Sequence, residues 1–191
     1  MKIKNLLLIT GNQGKAEEFK ALLNIPELKI SYLPLPLAEI QSLDIEEVGR
    51  HKTSEVFNFK EKIDGYDAVM TDDTGMTLDA LNGLPGPLIK WFLKSIGEDG
   101  LVDLVKGKSA ATTVTCLLTL GLTRNQDLVQ FRGDIKGKIV PARGDLGFGW
   151  DTIFQPNGSE LTYGEMSADQ KNRISHRTLA VKKLRDWIST V

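Results

Sequence analysis

Leu6-Leu7-Leu8-Ile9-Thr10-Gly11-Asn12-Gln13-Gly14-Lys15 joins a continuous apolar run to a polar, glycine-bearing turn. Four consecutive apolar residues are the pattern of a short strand buried on both faces. Beyond the turn, Phe19, Leu22 and Leu23 recur at helical spacing, with Glu17, Glu18 and Lys20 between them. Strand, glycine-bearing turn and helix is how α/β proteins present backbone N–H groups to an anion. Gly11 and Gly14 allow close approach of the backbone, Thr10 and Asn12 offer side-chain hydrogen bonds, and Lys15 adds a mobile charge. An ordinary βα turn is the competing reading. A Walker loop is excluded, because Ile9 stands where its first glycine belongs and Ala16 where Ser or Thr must follow the lysine. The G-x-G-x-x-G dinucleotide fingerprint is absent as well.

Composition narrows the classes around this motif. A chain of 191 residues with 41% apolar content is sufficient for one domain, or two lobes sharing a core. With 24 basic and 25 acidic residues, no global charge points to nucleic acid or to an anionic membrane, so any basic function is local. The single cysteine, Cys116, has no internal disulfide partner, which suits a reducing compartment. It lies in a strand-like run and reads as a small core residue. The apolar run near the charged N-terminus is too short for a signal peptide, and nothing approaches a membrane span. The expectation is a cytoplasmic protein.

Strands and helices alternate along the chain. Leu28 to Leu33 reads as a second strand, ended by Pro34 and Pro36, and Leu37 to Asp44 as a polar connection carrying Glu39 and Asp44. Ile45, Val48, Lys52, Val56, Phe59 and Ile63 then recur at helical spacing. Lys52 interrupts that stripe, either snorkelling to water or directed at a site. Asp67 to Thr71 reads as a short strand ending in Asp72-Asp73-Thr74-Gly75. Adjacent carboxylates repel, so this pair is either a solvated turn or the neighbour of a cation. Its expected place at the carboxyl end of a strand favours a site. Thr77 to Leu81 resumes a strand-like pattern, and Gly83-Leu84-Pro85-Gly86-Pro87 reads as a rigid turn opening a helix from Leu88 to Ile96. Ala110 to Leu120 and Leu128 to Val140 read as two long strands of a hairpin, hence a mixed sheet.

Two late segments stand out chemically. In Gly147-Phe148-Gly149-Trp150-Asp151, two aromatics alternate with glycines that give the rings little local packing, so a base-stacking platform is the sharper reading. Ser175 caps a last helix whose buried face is Ala180, Val181, Leu184, Trp187 and Ile188. His176 and Arg177 fall in its first turn, with Lys171 and Arg173 just before. Cations there oppose the helix dipole by about 0.3–1 kcal/mol each, a cost that a docked anion would reverse. The alternative is that they point into solvent.

TGNQGK, DDTG, FGWD and KNRISHR occur here in the order seen in one family. From Ile3 to about Leu184 the sequence closely resembles the inosine triphosphate pyrophosphatases, also called non-canonical purine nucleoside triphosphate pyrophosphatases. GLPGPLIKWFL looks like the eukaryotic-type members. The resemblance implies an elongated, two-lobed α/β fold with a long mixed β-sheet flanked by helices, one catalytic unit spanning residues 1–191 and an active-site cleft between the lobes. It implies a homodimer and Mg²⁺-dependent hydrolysis of ITP, dITP and XTP to the monophosphate and pyrophosphate. By the same resemblance Thr10, Gly11, Asn12, Gln13, Gly14 and Lys15 hold the phosphates, and Lys52 is directed at them. Asp73 matches the proton acceptor and a metal ligand, and Glu39 the second metal carboxylate, with Asp44 and Asp72 as alternatives. Thr74 contacts substrate, Phe148, Gly149, Trp150 and Asp151 match the base-binding segment, and Lys171, His176 and Arg177 the remaining contacts.

The chemistry agrees with those implications. Few carboxylates together with phosphate oxygens suit Mg²⁺, whereas two histidines and one cysteine do not make a zinc site. Two rivals are a related pyrophosphatase for modified pyrimidine nucleotides and a catalytically silent nucleotide-binding regulator.

Overall fold

The computed structural model describes residues 3–191, so Met1 and Lys2, with the charged N-terminus read from the sequence, lie outside it. One mixed sheet of seven strands runs in the order β2-β1-β3-β5-β6-β7, with β4 pairing β3 off this path. The strands are β1 (Asn5–Ile9), β2 (Lys29–Leu33), β3 (Ala68–Leu78), β4 (Pro85–Gly86), β5 (Ala111–Leu122), β6 (Leu128–Ile139) and β7 (Phe154–Pro156). The helices are α1 (Gln13–Leu22), α2 (Ile45–Val56), α3 (Lys60–Ile63), α4 (Ile89–Leu104), α5 (Ala168–Ile174) and α6 (His176–Ile188). β1 is parallel to both β2 and β3, while β3, β5, β6 and β7 pair antiparallel in succession. The expected mixed sheet flanked by helices is therefore present.

The apolar run of β1 behaves as its composition demands, with Leu6, Leu7, Leu8 and Ile9 all buried. Leu6 and Leu8 pack toward Phe19 of α1 and Ala180, Val181 and Leu184 of α6. Leu7 and Ile9 pack on the opposite face with Val56, Phe57 and Ile63. A separate cluster around Met76, Leu78, Leu101, Val114, Phe154 and Tyr163 fills the far end of β3 and β5.

Three expectations need correction. The helical stripe from Ile45 to Ile63 is two helices, because i→i+3 bonds at Phe57, Asn58 and Phe59 tighten and end α2. The buried aromatic there is Phe57, whereas Phe59 precedes α3. Asp72-Asp73-Thr74-Gly75 does not end a strand but lies inside the eleven residues of β3, which β5 pairs along its whole length. The helix opened by Leu88 continues to Leu104, although Gly97 at φ 68° breaks its geometry where the sequence placed its end.

Candidate active site

The site opens where two neighbours of β3 part. Pairing with β1 stops at Ile9↔Thr71, and β4 joins only at Met76. Between these points Asp72 to Gly75 have β5 on one side and no strand on the other. The carboxyl end that matters is thus that of β1, whose chain leaves into Thr10–Lys15 beside the acidic pair. There the Thr10 hydroxyl accepts the Asn12 N–H at 3.1 Å, and the Asn12 side chain caps α1 by accepting the Lys15 N–H at 3.1 Å. The turn is held by its own polar side chains.

Thr10 to Lys15, Glu39, Lys52, Asp73, Thr74, Phe148 to Asp151, Lys171, His176 and Arg177 all line one cleft of about 890 Å³. Asp44 is not among its lining residues; it caps α2 by accepting the Glu46 N–H at 2.8 Å.

Successive strand residues face opposite sides, so Asp72 and Asp73 divide two sets of cations between them. Asp72 meets Lys15 Nζ at 2.8 Å and Arg177 Nη2 at 3.2 Å, and accepts the Cys116 thiol at 3.2 Å. Burial alone would raise the Asp72 carboxyl, but Lys15 and Arg177 outweigh it and hold it well below the usual carboxylate range. Burial, and then Asp72, push the Cys116 thiol well up, so it is a core residue that donates a weak hydrogen bond.

Asp73 faces Lys52, whose Nζ lies 2.8 Å from Asp73 Oδ1 and 2.8 Å from Glu39 Oε1. Lys52 is therefore directed inward. Burial would lower its pKa, but the two carboxylates raise it instead, so it stays charged. Burial pushes the Asp73 carboxyl up, against the pull of Lys52. Asp73 Oδ2 is buried with no hydrogen-bond partner. A buried carboxylate oxygen without a donor is costly unless something else meets it.

The other end of the cleft is aromatic and cationic. Trp150 is not an offered platform, as the flanking glycines suggested, but a core side chain only 6% exposed. Its ring packs against Phe154, Tyr163 and His176 at 5.6, 6.3 and 5.3 Å, neighbours that no local spacing announces. Phe148 is less buried, with Lys171 Nζ 4.8 Å from its centroid. Asp151 accepts the Phe148 N–H at 2.8 Å and meets Lys171 Nζ at 2.6 Å through the same oxygen. His176 stacks on Tyr163 and is buried, and neither of its ring nitrogens has a hydrogen-bond partner. Burial, then Arg177 and Lys171, hold its pKa well below the usual value, so the ring is neutral.

The cations before the last helix need a different account from the one expected. Lys171 and Arg173 belong to the last turn of α5, where the dipole favours them. Only His176 and Arg177 open α6, behind the Ser175 cap. Arg177 is 1% exposed and paired, so it does not point into solvent. Glu18 of α1 bonds both Lys171, at 2.7 Å, and Arg177. Sequence reading missed Glu18, and it missed Lys90, which lines the cleft and lies 3.7 Å from Glu39. An excess of buried cations signals that a counter-charge exists, but not which acid supplies it.

The comparisons with known proteins agree with one another. The model of the Ham1 family matches residues 6–187. An inosine triphosphate pyrophosphatase of Puccinia graminis f. sp. tritici is 38% identical over 192 residues, covering 96% of each chain. One of Pyricularia oryzae is 40% identical, over 97% of this chain and 94% of its own. A HAM1 protein from Coxiella burnetii superposes over the full length of both chains with a TM-score of 0.81 at 22% identity, a likeness of fold.

Proposed function

Because this chain belongs to the Ham1 family, we propose that it hydrolyses non-canonical purine nucleoside triphosphates, namely ITP, dITP and XTP, to the monophosphate and pyrophosphate. One observation carries the reading: a phosphate-type turn, a partnerless carboxylate oxygen and an aromatic, cation-rich pocket share a single cleft.

The turn from Thr10 to Lys15 holds the phosphates through backbone N–H groups and the Lys15 ammonium, with Thr74 beside them. Lys52 adds a fixed positive charge. Water adds its oxygen to the α-phosphorus while the bond to the bridging oxygen breaks, and pyrophosphate leaves with that electron pair. Asp73 takes the water's proton on Oδ2, a task suited to a carboxyl raised by burial. At the other end Phe148 lies against the base, with Gly149, Trp150 and Asp151 shaping its pocket. Lys171 and Arg177 donate toward the 6-oxo group, and neutral His176 offers one donor and one acceptor.

The donor set fits a hard cation. Glu39 and Asp73 converge on the same lysine, so two carboxylates face one position of positive charge. No cluster of three or more potential ligands occurs among the described residues, but Mg²⁺ commonly takes one or two carboxylates plus substrate phosphates. Asp73 and Glu39 would hold Mg²⁺, which when bound supplies charge neutralisation to the phosphate oxygens and the leaving pyrophosphate. Among the alternatives, Asp44 is committed to a helix cap and Asp72 to two cations.

The same proposal includes a single catalytic unit of two lobes, assembly as a homodimer and a cytoplasmic location, all supported by the resemblance. Among the described residues no helix is long and apolar enough to cross a membrane.

The test is a nucleotide panel (ITP, dITP, XTP, ATP, GTP, dUTP) assayed with Mg²⁺ and with excess EDTA. The proposal expects turnover of the first three, abolished by EDTA. Preference for dUTP would favour the pyrimidine rival, and binding without turnover of any nucleotide the silent one.

A further inference from the structure

Gly14 lies in the first turn of α1, and its φ is not in the left-handed region that demands glycine. Glycine weakens a helix relative to alanine, so its presence there needs a cause outside the backbone. Phe148 supplies one. A Cβ on Gly14 would stand 2.6 Å from Phe148 Cδ1 and 2.8 Å from Cε1. The missing side chain is the space that the ring occupies.

A chain of contacts leads from that ring back to the same turn. The Phe148 N–H bonds Asp151, Asp151 meets Lys171, and Lys171 meets Glu18. Glu18 bonds Arg177, Arg177 meets Asp72, and Asp72 meets Lys15, the residue after Gly14. The path is closed, running from the phosphate turn through the base end of the cleft and back.

We infer that Gly14 is a positioning residue that seats the Phe148 ring against the phosphate turn, so that base engagement and the placing of Lys15 are coupled. The Cβ that Gly14 lacks acts through Phe148, while its backbone stays part of the turn that holds the phosphates. The consequence for substrate rests on the purine reading above; the contact itself does not. A ring atom can yield where backbone could not, so Gly14→Ala should fold and displace Phe148.

A double-mutant cycle tests this with Gly14→Ala, Phe148→Ala and the pair, read by Tm without nucleotide and by kinetics on ITP with Mg²⁺. In the parent background Gly14→Ala should lower Tm, because the new methyl meets the ring. With Phe148 truncated it should raise Tm, because only the helix gain remains. Displacing a stacking ring should raise KM for ITP about tenfold with kcat within about threefold in the parent, and change KM less than about twofold once Phe148 is alanine. Equal effects of Gly14→Ala in both backgrounds, or none in the parent, overturn the inference. If the parent protein turns over no ITP, the functional reading fails by itself, and the sign of the Tm change still decides whether Gly14 seats Phe148.

Discussion

Asp72 and Asp73 are neighbours in one strand, yet Asp72 is held by Lys15 and Arg177 while Asp73 reaches Lys52 and leaves Oδ2 without a partner. Their carboxyls are displaced in opposite directions, Asp72 down and Asp73 up. One residue organises cations; the other is available for chemistry.

Asp73→Asn therefore removes the proposed proton acceptor while keeping size and hydrogen-bonding capacity. Turnover of ITP should fall by about 10²–10⁴-fold, with the circular dichroism spectrum unchanged. A folded variant with near-parental kcat would show that Asp73 is not the catalytic carboxylate.

Asp72→Asn should act mainly on stability. Breaking a buried ion pair by removing one partner costs about 3–5 kcal/mol, because the stranded cation stays buried. Arg177 is the buried cation here, and without Asp72 it keeps the carboxylate of Glu18 and a long contact to the Thr74 hydroxyl at 3.5 Å. Urea unfolding should show a larger loss for Asp72→Asn than for Asp73→Asn; the reverse order would contradict this division of roles.

His176 predicts an acid-side loss of stability. Its folded pKa lies well below the usual value, through burial and the nearby Arg177 and Lys171. Below about pH 6.5 the unfolded chain takes up a proton that the folded chain refuses, so stability falls as pH falls, by at most about 1.4 kcal/mol per pH unit from this group. Comparing urea unfolding of parent and His176→Phe between pH 7.5 and 5 isolates that slope. Parallel curves would show that His176 does not carry it.

Arg177→Ala should lower kcat/KM steeply for ITP while changing the small ATP rate little. Arginine has donors only, so it satisfies a 6-oxo group and leaves a 6-amino group facing a cation. Sites of this kind discriminate by up to about 10⁴-fold. Equal losses on both nucleotides would confine Arg177 to the phosphates.

The sequence made β1, the turn after it and the capped last helix legible because each is a local pattern: an apolar run, a glycine-bearing polar turn, a serine before an amphipathic stripe. What it hid was set by distant partners. The acidic pair reads as lying at the end of a short strand because nothing local shows that β5 carries β3 through it to Leu78. Trp150 looked exposed because its glycine neighbours are local, whereas Tyr163 and His176 are not. Glu18 was invisible as a site residue, since its partner Lys171 lies 153 positions away. Four short motifs in order brought the cleft together on paper, but the pairing inside it depends on packing.

The most direct measurement is the identity of the products. ITP incubated with the purified protein and Mg²⁺, followed by ³¹P NMR, should yield inosine monophosphate and pyrophosphate in equal amounts, with no inosine diphosphate at any time. Inosine diphosphate accumulating with orthophosphate would mean attack at the terminal phosphate, and would contradict the account of how this cleft holds its substrate.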